Sequence, residues 1–172
     1  MSNANAPMIY MTAGISGSGK SHFANYFCKS GNTVELNLDN FRREISGNCS
    51  DQSVSAQAVK KQAKEMAKYL AGGYNVMLSN TNLGVSVINS HARDYPFNDF
   101  VLFIIKDSFD PQLCKDRVAD DIASGVDRSN VPMDVIDKQH ERFLQLIADL
   151  DKLEKNVEVR YVDQNGSISS SR

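Results

Sequence analysis

Between an apolar run, Met8 to Ala13, and a stretch of helical spacing from Ser21 to Cys28 lies Gly14-Ile15-Ser16-Gly17-Ser18-Gly19-Lys20-Ser21. This octapeptide has the form G-x-x-x-x-G-K-[ST], and it follows a strand and opens a helix, which is the setting the pattern requires. Its glycines let the backbone curl until successive N–H groups converge, and the helix adds the positive end of its dipole. Such a loop holds phosphate. Lys20 then sets a point charge on the outer phosphates, and the Ser21 hydroxyl is a ligand for Mg²⁺, whose other ligands are phosphate oxygens and water. The expected cofactors are therefore ATP, or another nucleoside triphosphate, and magnesium.

Short apolar runs alternate with stretches of helical spacing along the chain, which is the signature of βαβ units. The strands expected are Met8 to Ala13, Thr33 to Leu38, Asn75 to Asn80, Phe100 to Lys106 and Val157 to Asp163. The helices expected are Ser21 to Cys28, Asp39 to about Ser46, Val54 to Leu70, Val85 to Tyr95, Asp110 to Ser124, and one long helix from Met133 to about Lys155. In the third helix Ala56, Val59, Ala63, Met66 and Leu70 share a face, and in the last Ile136, Phe143, Ile147 and Leu150 do. The fold class is α/β: a parallel five-stranded sheet flanked by helices, with the turn-rich segment Gly125 to Pro132 as a lid loop and Gly47 to Ser53 as a polar connector. At 172 residues this is one domain, assigned to residues 8–163, with disordered ends at 1–7 and 164–172.

Composition removes other classes. With 41% hydrophobic and 23% charged residues the chain is an ordinary globular one. No apolar run is long enough to span a bilayer, and the N-terminus lacks the pattern of a secretory signal, so no membrane is expected as a partner. Cys28, Cys49 and Cys114 are odd in number and unpaired by any CxxC spacing, which fits a reducing cytoplasm. Residues 1–100 carry 9 bases and 7 acids, whereas 101–172 carry 10 and 14. With a sequence pI near 5.9, contact with nucleic acid would be local, at an end or in a groove.

No strand ends in Asp-Glu, as a motor ATPase requires, and no Asn-Lys-x-Asp guanine reader occurs, so a phosphotransferase is favoured. Its general base should lie near the γ-phosphate at the carboxyl end of a strand. Asp39 is so placed, with Arg42 one helical turn away on the same face, able to hold a phosphate in a fork. The alternative role for Asp39 is that of a helix cap, and the two are compatible.

Taken together, GxxGSGKS, the N-x-D-x-[FY]-R string at Asn37 to Arg42, the S-x-T-N-L string at Ser79 to Leu83 and the V-P-x-D-V string at Val131 to Val135 resemble bacteriophage-type 5′-hydroxyl polynucleotide kinases. The resemblance covers residues 8 to 155 and implies a P-loop kinase fold. It implies that Asp39 is the base for the 5′-hydroxyl, that Arg42 contacts the 3′-phosphate of the terminal nucleotide, and that Lys20 and Ser21 serve the donor. Asn80, Thr81 and Asn82 would then belong to the acceptor site, and Phe41 is weighed as a base-stacking ring against a core role. Two departures stand out. Asn80 replaces the family's Asp, exchanging a carboxylate for an amide that adds no charge near the metal. The lid arginine is either Arg128, in the loop, or Arg117, on the preceding helix, and Arg128 is favoured because a loop can close over the triphosphate.

The partners expected are 5′-hydroxyl ends of DNA or RNA and a nucleoside triphosphate, with a homo-oligomer left open. The rivals are a nucleotide or small-molecule kinase and a non-catalytic nucleotide-binding module. The family's D-x-D-x-[TV] phosphatase string is absent. The row Lys60, Lys64 and Lys68, and the histidines His22 and His140, are read as a solvated face and as structural residues.

Overall fold

The computed structural model describes residues 6–170. A six-stranded sheet in the order β2-β3-β1-β4-β5-β6 carries helices on both faces. The strands are β1 (Ile9–Ala13), β2 (Thr33–Leu36), β3 (Asn75–Leu78), β4 (Phe100–Ile105), β5 (Val157–Val162) and β6 (Ile168–Ser170). The first five are mutually parallel. The helices are α1 (Lys20–Lys29), α2 (Leu38–Ser46), α3 (Ser55–Ala71), α4 (Val85–Asp94), α5 (Pro111–Ala123) and α6 (Met133–Ala148). Every expected strand is present.

A parallel sheet must be covered on both faces, and alternation along β4 shows how this one is. Phe100, Leu102 and Ile104 join a core with Phe41, Ala58, Met66, Ile88, Val118 and Phe143, drawn from α2 to α6. Val101, Phe103 and Ile105 face the other way, onto Phe23 and Ala24 of α1. There the rings of Phe23 and Phe103 meet edge to face at 5.0 Å, and those of Tyr10 and Phe27 at 4.8 Å. The central β1 lies between β3 and β4, and its connection runs to β2 on one side whereas that of β3 runs to β4 on the other, so the loop that leaves the carboxyl end of β1 opens at a topological switch point.

Three sequence expectations change. The segment expected as a disordered tail contains β6, an antiparallel partner of β5. Asp163 accepts from the Asn165 and Ser167 amides through one carboxylate oxygen, and Gly166 takes φ 75°, which closes a tight hairpin. The last helix ends at Ala148 rather than near Lys155, and a short 3-10 turn, Leu150–Lys152, follows. Asn89 of α4 pulls the chain away there, donating to the Lys152 carbonyl and accepting from the Glu154 amide. In α3 the buried face is Ala58, Gln62 and Met66, while Val59 is exposed. The alanine pattern misled because alanine buries little area, and Gln62 goes inside for its hydrogen bonds. Residues 1–5 and 171–172 of the expected disordered ends lie outside the described residues.

Candidate phosphotransfer site

The loop from Gly14 to Gly19 has the shape its glycines predict. Gly17 and Gly19 take φ of 83° and 96°, conformations that L-side chains rarely adopt. At Gly17 the constraint is also steric, since a Cβ there would lie 2.2 Å from the Cys114 carbonyl oxygen on α5. Ser18 is buried and Ser21 is exposed in the first turn of α1. Lys20 is also buried, and its Nζ donates to the Ile15 carbonyl at 2.7 Å. Burial lowers the Lys20 pKa to about 8, opposed by the nearby Asp39 carboxylate and reinforced by Arg128. Both residues therefore lie within electrostatic reach of the ammonium.

Two residues on which sequence reasoning was silent hold this loop. The Ile15 amide donates to the buried Ser108 hydroxyl at 3.1 Å, and the Ser16 amide donates to Gln139 Oε1 at 2.8 Å. Their partners are 93 and 123 residues away in the chain, so no local pattern announces them. Arg117 packs against the loop's outer side: it pairs with Asp107 at 2.8 Å and donates to the Gly17 carbonyl at 3.4 Å.

Asn37, not Asp39, caps α2. Its Oδ1 accepts from the Asp39 amide at 2.8 Å, while its Nδ2 donates to the Ser79 carbonyl and hydroxyl. The Asp39 carboxylate, in the first turn, is instead ion-paired with Arg42, whose Nε donates to the Cys49 carbonyl at 2.8 Å. Phe41 is buried in the core, with the Lys61 ammonium 5.6 Å from its ring centre.

The string from Asn80 to Asn82 makes hydrogen bonds within the scaffold. Asn80 accepts from the Leu38 amide at 3.0 Å and donates to Gln62 Oε1 at 3.2 Å. Asn82, at φ 45°, donates to the Thr12 and Leu78 carbonyls at 2.8 and 3.2 Å. The Thr81 carbonyl accepts from the Gly14 amide, and that of Asn80 from the Thr12 hydroxyl. These bonds tie the end of β3 to the start of the phosphate loop. The amide side chains expected to meet an acceptor are thus engaged within the protein.

Across the crevice, the loop after α5 reaches the connector after α2. Arg43 pairs with Asp127, the Ser129 hydroxyl donates to the Cys49 carbonyl at 3.3 Å, and the Asn130 amide donates to the Ser50 hydroxyl at 3.1 Å. Arg128, between these contacts, is ion-paired with Asp121, and its Nε is buried without a partner. Lys60, Lys64 and Lys68 are exposed, as is His22, while His140 is half-buried.

A strand–loop–helix phosphate cradle beneath a loop of this kind has a familiar lineage. An AAA domain model, AAA_33, matches residues 9–146. The chain belongs to that family. Its fold is that of the P-loop kinases, a mostly parallel sheet flanked by helices. No curated protein matches the chain. Among solved structures, a Pnkp1/Rnl/Hen1 RNA repair complex superposes with TM-score 0.71 at 20% identity, over 88% of this chain and 48% of that one. A second Pnkp1/Rnl/Hen1 complex gives 0.54 at 24% identity, over 60% and 36%. The PezAT chromosomal toxin-antitoxin system of Streptococcus pneumoniae gives 0.64 at 20% identity, over 98% and 72%. At these identities the likeness is one of fold. This AAA_33 chain spans about half the length or less of its Pnkp1-complex neighbours. Among the described residues no helix is long and apolar enough to cross a membrane, and no cluster of three or more His, Cys, Asp or Glu could hold a metal ion.

Proposed function

We propose that this chain is an ATP-dependent phosphotransferase acting on 5′-hydroxyl ends of DNA or RNA. The observation that carries the reading is the Asp39–Arg42 ion pair directly after β2, at the carboxyl edge of the parallel sheet from which the phosphate loop leaves β1. Because Asn37 supplies the cap, the Asp39 carboxylate is left for chemistry. It accepts the proton of the acceptor hydroxyl while that oxygen bonds to the γ-phosphorus and the bond from phosphorus to the β–γ bridging oxygen breaks. Arg42 turns from Asp39 toward a phosphate of the acceptor. Lys20 and the part of the loop that opens α1, Gly17 to Ser21, hold the donor. Arg128 serves as the lid arginine, supported by its influence on Lys20, whereas Arg117 is engaged with Asp107 and the Gly17 carbonyl.

Magnesium fits the residues present. The exposed Ser21 hydroxyl lies in the first turn of α1, and with no carboxylate cluster nearby the ion's other ligands would be phosphate and water oxygens. The ion would supply charge neutralisation at the phosphates. The engagement of Asn80 with Leu38 and Gln62 argues that this residue serves the scaffold, so its amide does not weigh against catalysis.

A nucleotide or small-molecule acceptor is the second reading. The groove beside α2 and α3 favours it, because Glu35, Glu44 and Glu65 outnumber its one cation, Lys61, which is ion-paired with Glu44, and the net negative charge would repel a polyanion. The test is transfer of labelled γ-phosphate from ATP with Mg²⁺ to a 5′-hydroxyl oligonucleotide, beside mononucleotide acceptors and an Asp39→Asn control. Label on the oligonucleotide that the control abolishes is the expected result. Label on mononucleotides alone would overturn the polynucleotide reading, and ATP binding with no transfer at all would leave a nucleotide-binding module.

A further inference from the structure

One polar contact of the phosphate loop has no part in the chemistry above. The Ser16 N–H donates to Oε1 of Gln139, 2.8 Å away on α6. The peptide unit that carries this N–H is the one whose carbonyl, that of Ile15, accepts from Lys20 Nζ at 2.7 Å and from the Ser18 amide at 3.2 Å. In a planar trans peptide the N–H and C=O point in opposite directions. Lys20 and Gln139 therefore grip one peptide plane from its two sides.

The grip has a rigid support. Ile136 and Phe143, three residues before and four after Gln139, are fully buried, which fixes that face of α6 against the core. Lys20 in turn needs its carbonyl, because a buried ammonium without a partner is costly. A peptide plane free to rotate would carry the Ile15 oxygen away and leave the ammonium without a fixed place. Since α6 begins directly after the loop that spans the crevice, the same helix connects that loop to the phosphate site.

We infer that Gln139 is a positioning residue for nucleotide binding: its carboxamide oxygen fixes the Ile15–Ser16 peptide plane, and through that plane the Lys20 ammonium. The inference rests on the reading of the loop as a nucleoside polyphosphate site. Gln139 itself touches no reacting atom.

The test compares the full chain with Gln139→Leu, which keeps bulk but cannot accept a hydrogen bond, and Gln139→Glu, which keeps an acceptor oxygen. Two quantities are measured: hydrogen exchange at the Ser16 amide by NMR, and affinity for ATP and ADP by calorimetry. Losing one hydrogen bond of ordinary net strength predicts about a three- to tenfold weaker affinity for both nucleotides in Gln139→Leu. Ser16 exchange should quicken in Gln139→Leu and be slow again in Gln139→Glu, a rescue that helix packing alone would not give. Unchanged Ser16 exchange in Gln139→Leu, or affinities within twofold of the parent, would overturn the inference. If Gln139→Leu does not fold, Gln139→Asn, one methylene short of the contact, is read in the same way. Failure of the parent chain to bind ATP or ADP would instead sink the functional reading, while Ser16 exchange would still decide whether Gln139 holds the peptide.

Discussion

Arg43 of α2 and Asp127 of the loop between α5 and α6 form an ion pair at 3.0 Å that joins the two sides of the crevice. Their side chains are 38% and 75% exposed, so the pair is worth at most about 1 kcal/mol and is weakened by salt. A strap of this strength closes the crevice without locking it. Asp127→Ala should shift the unfolding midpoint by no more than about 2–4 °C, yet trypsin should cut more quickly after Arg128. Differential scanning and timed proteolysis of the two chains check this, and equal cutting rates would show that Ser129 and Asn130 hold the loop without the ion pair.

The amide at position 80 has a physical explanation in Gln62. Gln62 Nε2 donates to the Leu36 carbonyl at 3.2 Å, which turns its Oε1 toward Asn80 Nδ2. A carboxylate there would set oxygen against oxygen. Asn80→Asp should cost about 1–3 kcal/mol near neutral pH, the range for an unsatisfied buried polar contact. Against the parent chain, the loss should shrink as pH falls, because the new carboxyl, its folded pKa raised by this contact, takes up a proton that it can donate to Gln62. Urea titrations at pH 7 and at pH 4.5 measure both effects.

Lys20 gives nucleotide binding a pH dependence of definite sign. With a pKa lowered to about 8 by burial, the ammonium is partly neutral above that pH in the free protein, whereas phosphate favours its charged form. Binding therefore takes up a proton, and affinity for ATP should fall as pH rises beyond about 8, approaching tenfold per pH unit well above it. Lys20→Arg should bind more weakly but lose this slope, since a guanidinium stays charged throughout. Calorimetry at pH 7, 8 and 9 supplies the comparison.

Gly17 tests the loop's packing against α5. A methyl group there meets the Cys114 carbonyl oxygen at 2.2 Å on a backbone already at φ 83°. Gly17→Ala should destabilise the protein by about 2 kcal/mol or more and remove measurable ATP binding. Gly19 has nothing near its Cβ position, so Gly19→Ala carries only the conformational strain of its φ of 96° and should cost less. Denaturant midpoints of the two variants rank the effects.

What the sequence makes legible is local. The phosphate loop and the strands rest on a short spacing and on periodicity and lie in the fold where those patterns put them, whereas the asparagine-rich strings rest on the family resemblance. What escapes it is the support. Ser108 and Gln139 reach the loop only because β4 runs beside β1 and α6 packs over the same core, and nothing in a serine or a glutamine marks the partner it will meet. Asn80, Thr81 and Asn82 bond within the scaffold, and in sequence that service looks the same as proximity to an acceptor. The face of α3 was misjudged for a related reason, as Gln62 is buried by its hydrogen bonds rather than by its hydrophobicity. The hairpin that ends the sheet was signalled by Asn165-Gly166, a turn pair that composition alone hides among small polar residues.

That hairpin matters to how the protein behaves in a crowd. Without β6, the fully extended β5 would present a row of unpaired amides and carbonyls, with Val157, Val159 and Tyr161 close by, as a template for another chain. Three residues, Ile168 to Ser170, pair with Arg160 to Val162 of that row, and two of them are serine. The closing hairpin thus shields the end of β5 against pairing with another chain, at the opposite edge of the sheet from β2.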